Sequence, residues 1–232
     1  MFELFRRHKK TSPSRPESYP VYVQEYFRRK QTLNRKAPWA EERMVIFDTE
    51  TTGLKVGKDQ ILSIGAVAVK GEEILVGDSL ELIIKSEASH DPEVIAIHGI
   101  TPEEVKNGVE PEEAIKLFLD YIGGDMLVAH HAAFDIAMVE MLVTQETGEP
   151  FVLHNPRLDT AHLARKIENG NRSADMVNHS HYSLDRLCKR FDITMYDRHT
   201  AWGDALITAK LLLKLKRQVR EHNPPVLRSL GM

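Results

Sequence analysis

The sequence predicts an α/β fold: a mixed sheet, made of an antiparallel meander followed by parallel strands, with helices on both faces. Three observations predict it. Apolar, strand-like runs follow one another with short links at MVIFD (44–48), QILSIGAVAVK (60–70) and EEILVGDSLELIIK (72–85). Strand-like and helix-like segments then alternate to the end of the chain. The 232 residues suffice for one such domain with a good core, plus an appendage.

Each later element has its own signal. Residues 86–109 read as loop and short helices, punctuated by Pro92, Gly99, Pro102 and Gly108. PEEAIKLFLDYIGG (111–124) begins with proline, places apolar residues at helical spacing and ends in glycine, so it is a predicted helix. DMLVAH (125–130) reads as a buried strand and 132–148 as a helix. PFVLHNPRLDT (150–160) reads as an irregular strand, 160–168 as a helix, and 169–182 as a polar loop. Helices follow at 183–191 and at about 200–222. Doubly wound nucleotide-binding folds share the alternation but begin with a parallel βαβ unit. No G-x-G-x-x-G and no P-loop occurs here.

Composition narrows the class. Apolar residues make up 42% and charged residues 28%, as in an ordinary globular protein. No window approaches 18 uninterrupted apolar residues, so no membrane partner is expected. MFELFRRHKK lacks the long apolar region of a secretory signal. The single cysteine, Cys188, allows no internal disulfide, which suits a cytoplasmic location; its spacing from Leu184 and Leu187 marks it as core filler.

Net charge is −3, but it is unevenly spread. Residues 1–43 hold eleven Lys/Arg against five Asp/Glu, a net of +6, and the remainder holds 20 against 29, a net of −9. The expected organisation is a basic N-terminal extension at 1–42, a domain at 43–222 and a short tail at 223–232. Within the extension, 1–17 is polar and expected to be mobile. A helix is expected over 19–33, with Pro20 near its first turn and Tyr22, Tyr26 and Phe27 forming an aromatic face.

Four acids stand out. Strand side chains alternate, so Asp48 and Glu50 in DTETTG (48–53) point the same way and Thr49 the other. Two carboxylates closing an apolar strand repel each other unless cations compensate. Asp135 falls in the first turn of the helix after the strand ending at His130, where an acid can also simply complement the helix dipole. Thr200 is an expected N-cap, and Asp204 lies one turn inside the last helix on a stripe with Thr208, Leu211 and Leu215. A solvated acid would sit opposite, with Lys210, Lys214 and Arg217. Asp204 therefore points inward, where a charge needs a partner.

Together DTETTG (48–53), AHHAAFD (129–135) and HTAWGDA (199–205) resemble the DEDDh branch of the DEDD exonuclease superfamily. IHGIT (97–101), RLDT (157–160) and SLDRLCKRF (183–191) are similar accessory stretches, and the resemblance covers about residues 43–217. The motif set is similar to that of the proofreading (epsilon) subunit of bacterial DNA polymerase III and its stand-alone homologues. The resemblance implies a ribonuclease H-like fold and a 3′→5′ exonuclease acting in DNA replication or repair. The implied substrate is nucleic acid with a free 3′ end, DNA rather than RNA and single-stranded, and the products are 5′-mononucleotides. It implies two divalent cations, Mg²⁺ or Mn²⁺, with Asp48 bridging them, Glu50 and Asp204 completing the first and Asp135 supporting the second. His199 is the implied general base. A tyrosine four residues before the last acid would mark the sister branch, and Thr200 stands there.

Expected substrate contacts are Thr51, Thr52, Gly53 and Leu54 beside the scissile end, with His98, His131 and Phe134 lining the same groove; for His98 and Phe134, core or loop packing fits equally well. Many family members carry Asn where this chain has His131. Asp159 is expected to cap the helix starting near Thr160, and His179, His181 and Cys188 lack the four-ligand spacing of a zinc site. The basic extension is expected either to dock a protein partner or nucleic acid, or to be a tail whose helix packs on the domain. Two other functions fit the same fold: an exoribonuclease of the branch, and a non-catalytic, polymerase-associated nucleic-acid-binding module. The four acids and His199 argue against the module.

Overall fold

The computed structural model describes residues 16–29, 42–87, 92–170 and 178–222. Most of the segment expected to be mobile (1–17), the break at Pro38 and the tail at 223–232 lie outside the described residues.

The mixed sheet is as expected. Its strands are β1 (Arg43–Thr51), β2 (Ile61–Lys70), β3 (Glu73–Ile83), β4 (Met126–Ala129) and β5 (Arg157–Asp159), in the order β3-β2-β1-β4-β5. The first three form the antiparallel meander; β4 pairs in parallel with β1, and β5 in parallel with β4. β1 runs beyond the expected end at residue 48, because Thr49 and Glu50 keep pairing with Ile64 and Ser63 of β2 before the register shifts. Only Arg157–Asp159 of the expected strand 150–160 is strand. Pro150 and Pro156 have no N–H for a ladder; the segment is held instead by burial of Phe151 and Leu153 and by the Pro156 carbonyl, which accepts the Leu127 N–H.

Residue parity on β1 sorts the helices. Met44 and Ile46 pack into one core with α6 (Thr160–Asn169), α7 (Leu184–Arg190) and α8 (Ala201–His222). Val45 and Phe47 face the other core, with α1 (Val21–Arg28), α4 (Pro111–Ile122) and α5 (Ala133–Thr147). Burying each such side chain contributes about 1.5–3 kcal/mol. The short helices α2 (Pro92–His98) and α3 (Pro102–Lys106) lie between β3 and α4 in sequence.

The helix expected over 19–33 is the shorter α1, with Pro20 at its N-cap and Arg29 at its C-cap. Its aromatic face is used in packing: Tyr19, Val23 and Tyr26 belong to the core, with Tyr22 and Phe27 packed against it. The Tyr26 hydroxyl donates to Asn155 Oδ1 at 2.5 Å and accepts the His154 N–H at 3.0 Å. Asn155 in turn donates to the carbonyls of Gly123 and Asp125.

Candidate active site

The parity that puts Met44 and Ile46 against α8 continues to Asp48 and Glu50, so both acids face the same helix. Asp204, in the first turn of α8, meets them there: one carboxylate oxygen from each of the three lies within 4.8 Å of the others. The stripe below Asp204 is buried as expected, through Thr208, Leu211 and Leu215.

Two glycines make this approach possible. Gly65 on β2 is the register partner of Asp48, and a Cβ there would lie 2.1 Å from the Trp202 nitrogen. The start of α8 thus rests directly on the sheet beside Asp48. Gly203 is crossed equally closely by the Asp197 carbonyl, 2.0 Å from where its Cβ would be. Thr200 caps α8 as expected: its hydroxyl accepts the Gly203 N–H at 3.0 Å and donates to the Asp197 carbonyl at 2.8 Å.

Asp135 arrives from the opposite layer. It lies in the first turn of α5, is 3% exposed, and accepts two hydrogen bonds from Thr49, one from the backbone N–H and one from the hydroxyl. Thr49 has the opposite parity to Asp48 and Glu50, shared with Val45 and Phe47, and this aims it at α5.

The electrostatics are those of anions crowded without enough counter-charge. Burial pushes the Asp48 carboxyl well above the ordinary range, and Asp135, Asp204 and Glu50 add repulsion. Glu50 is pushed up to about 8 by burial and then by Asp204. Asp135 is pushed up to about 7 by burial, against the pull of its Thr49 hydrogen bonds. Asp204 is also raised by burial, and its Oδ1 is buried with no hydrogen-bond partner. A buried, orphaned carboxylate oxygen facing two more carboxylates is the donor set of a hard divalent cation. The residues fit such an ion.

His199 lies on the exposed loop before α8, with φ at +66°, five residues ahead of Asp204. His130 is buried, pushed down to about 4 by burial and then by His131, and its Nδ1 lies 2.9 Å from the Thr160 hydroxyl. Imidazole there stays neutral and tied to α6. Arg198, beside His199, was not singled out from the sequence. It donates through Nε to Asp185 Oδ1 at 2.7 Å and through Nη1 to Asp204 Oδ2.

The remaining expected residues fall into two groups. Residues 51–54 form the turn leaving β1. The Thr51 hydroxyl donates to the Gly53 carbonyl, and the Thr52 hydroxyl accepts the Gln60 N–H. Asp59 braces the turn by accepting the Lys55 N–H, and a Cβ on Gly53 would strike its carboxylate at 2.7 Å. Leu54 at the tip is 82% exposed. His98 and Phe134 have packing roles: His98 is buried with Nδ1 accepting the Ile100 N–H, and Phe134 lies against the α4/α5 core. His131 is exposed with φ at +62°, a conformation that Asn adopts more readily than most residues. Asp159 caps α6 by accepting the His162 N–H, and Cys188 is fully buried in the α7/α8 core.

Known proteins are similar to this chain in sequence and in fold. The family model for RNase_T, described as Exonuclease, matches residues 45–212. The chain is 35% identical over 181 residues to the PolC-type DNA polymerase III of Bacillus subtilis, covering 78% of this chain but 12% of that protein. It is 27% identical over 191 residues to the PolC-type DNA polymerase III of Thermotoga maritima, covering 82% of this chain and 13% of that one. The chain thus spans about an eighth of the length of these relatives. Among solved structures, Exonuclease X in complex with 5′-overhanging duplex DNA superposes with a TM-score of 0.59 at 25% identity, covering 81% of this chain and 99% of that one. E. coli Exonuclease I bound to a dT13 oligonucleotide shares the fold, with a TM-score of 0.63 at 18% identity over 78% of this chain and 42% of that one. So does the nuclease domain of 3′hExo, a DEDDh family member bound to rAMP, with a TM-score of 0.61 at 13% identity over 76% of this chain and 92% of that one.

Proposed function

The chain belongs to the RNase_T exonuclease family, and from that premise we propose that it is a metal-dependent 3′→5′ exonuclease that shortens single-stranded DNA from a free 3′ end and releases 5′-mononucleotides. The observation that carries this reading is the meeting of Asp48, Glu50 and Asp204 within 4.8 Å, with Asp135 held to the neighbouring strand residue Thr49.

Asp48, Glu50, Asp204 and Asp135 would hold two divalent ions, Mg²⁺ or Mn²⁺, which supply an acidified water and stabilise charge on the phosphoryl oxygens. The chain's own groups do the rest. His199, exposed at the rim, accepts the proton of the attacking water. The turn at 51–54 presents backbone N–H groups to the terminal phosphate, and exposed Leu54 packs on the last base. His131 lines the same rim, with His98 and Phe134 supporting the groove walls from behind. The Exonuclease I complex with dT13 supports a single-stranded DNA substrate, and the PolC-type relatives support a DNA replication setting; repair and a cytoplasmic location are part of the same reading. A protein or nucleic-acid partner of the N-terminal segment would meet its basic residues, since the aromatic face of α1 is packed on the body.

The test is hydrolysis of 5′-labelled linear DNA, the same sequence in RNA, and a circular single-stranded DNA, each with chelator, Mg²⁺ or Mn²⁺. Stepwise shortening of linear DNA only with metal is expected, with RNA slower and the circle resistant. Nicking of the circle, or full activity in chelator, would overturn the reading. Faster cleavage of RNA would replace the substrate with RNA.

A further inference from the structure

The acid cluster already contains one cation, and it belongs to the protein. Arg198 bridges two carboxylates of different kinds: Asp185 in the first turn of α7, which is 57% exposed at its side chain, and Asp204 in the cluster, which is 7% exposed. The backbone arranges this reach. Asp197 and His199, on either side of Arg198, both adopt positive φ, at +53° and +66°. The Asp197 carbonyl is fixed by the Thr200 N–H and hydroxyl. Two left-handed residues in three are costly for side chains other than glycine, and here they turn Arg198 back over the first turn of α8.

The guanidinium takes one oxygen of Asp204, and the other oxygen remains without a partner. Burial raises Asp48, Glu50 and Asp204, and the Arg198 charge opposes that rise in all three. A divalent ion held by Asp48, Glu50 and the unpartnered Oδ1 of Asp204 would repel the guanidinium that sits on Oδ2. Arginine and metal therefore compete for the same negative charge.

We propose that Arg198 is a resident counter-cation that holds Asp204 when no divalent ion is bound, and that Asp185 is the anchor retaining it beside His199 when a metal takes its place. This rests on the metal-site reading above. Arg198 is then a positioning residue: it holds the acids together in metal-free conditions and sets a threshold for metal binding. Asp185 lowers that threshold, because the displaced guanidinium still has one hydrogen-bonded anion. Competition for one ligand is reciprocal, so whatever Arg198 adds to the stability of the metal-free protein it subtracts from metal affinity.

The experiment is calorimetric titration of the full chain with Mn²⁺, paired with thermal melting in chelator and in saturating Mn²⁺. The variants are Arg198→Gln, Asp185→Asn and Asp48→Asn. Arg198→Gln should bind Mn²⁺ about tenfold more tightly, the usual size of such coupling, and should melt lower in chelator but near wild type in Mn²⁺. Asp185→Asn should bind Mn²⁺ more weakly, since the guanidinium loses its alternative partner. These opposite signs separate the proposal from simple damage, which would weaken binding in both. Arg198→Gln binding no more tightly than wild type, or both variants shifting the same way, would overturn it. Equal Mn²⁺ binding by wild type and Asp48→Asn would instead overturn the metal site itself, and this inference with it.

Discussion

Thr49 donates twice to a single oxygen of Asp135, from its backbone N–H at 3.1 Å and from its hydroxyl at 2.7 Å. The pair ties the end of β1 to the first turn of α5, and so joins the two layers of the fold at the acid cluster. Both bonds favour the ionised carboxylate and oppose the upward push of burial, which leaves Asp135 at about 7.

Thr49→Val keeps the shape of the side chain and removes one of those bonds. Asp135 should then hold its proton to higher pH. Mn²⁺ affinity at neutral pH should fall, because binding must displace that proton, and should recover at alkaline pH. Calorimetric titration with Mn²⁺ across a pH series checks this. A profile superimposable on wild type would mean that the hydroxyl does not tune Asp135.

The crowded acids also make the metal-free fold sensitive to pH. Glu50 at about 8 and Asp135 at about 7 lie above the ordinary carboxylate value of roughly 4. The folded state therefore retains protons that the unfolded chain releases. Stability should be highest while these groups are protonated in the fold and should fall as pH rises from about 4 to 8, with the penalty complete above that. Asp48→Asn removes the most strongly repelled member. In chelator its melting temperature should exceed wild type by little at pH 5 and by most above pH 8, at roughly 2–4 °C for each kcal/mol relieved. Comparing the two proteins cancels buried His130, whose downward shift acts in the opposite sense. Parallel curves for the two proteins across that range would count against mutual repulsion in the cluster.

Gly65 offers a geometric test of how the cluster is assembled. Asp48 faces Asp204 only because α8 starts in contact with the sheet at Gly65. Gly65→Ala should push the helix outward, destabilise the fold by about 1–3 kcal/mol, and weaken Mn²⁺ binding by separating the acids. Gly77→Ala, on β3 with nothing within 4 Å of its Cβ, is the matched control and should do neither. Equal behaviour of the two variants would show that close contact at Gly65 is not what brings the acids together.

Much of this site was legible before folding because short-range periodicity carries it. Period two on β1 puts Asp48 and Glu50 on one side and sends Thr49 to the other. The stripe of Asp204, Thr208, Leu211 and Leu215 turns Asp204 inward, and Asp159 announced itself as a cap beside Thr160. What escaped depends on which surfaces touch. Gly65 reads as one glycine in an apolar strand until α8 is laid on it. Arg198 reads as one more basic residue in a loop until the positive φ at Asp197 and His199 bends it back onto Asp204. Tyr26 could be assigned to an aromatic face, but not to Asn155, 129 residues away in the chain. The expected strand at 150–160 shrank to Arg157–Asp159 because apolar side chains there satisfy the core without a ladder.

The last expectation separates His199 as general base from His199 as part of the loop that shapes the site. It is exposed, so it can exchange protons with solvent between turnovers, and it lies in a left-handed conformation that holds it ahead of α8. His199→Ala should lose about 10²–10⁴-fold in turnover, the usual worth of a positioned base. Mn²⁺ affinity should be retained, because the ligands are carboxylates. The exposed site leaves room for a diffusible substitute, so added imidazole should restore part of the rate in the variant and none in wild type. His199→Asn, which tolerates positive φ, should keep the loop in place and still be slow. A near-normal rate for His199→Asn would assign the residue to loop geometry. Loss of Mn²⁺ affinity without loss of rate at saturating Mn²⁺ would make His199 a ligand, and the base would then have to come from exposed His131, since His130 is buried against Thr160.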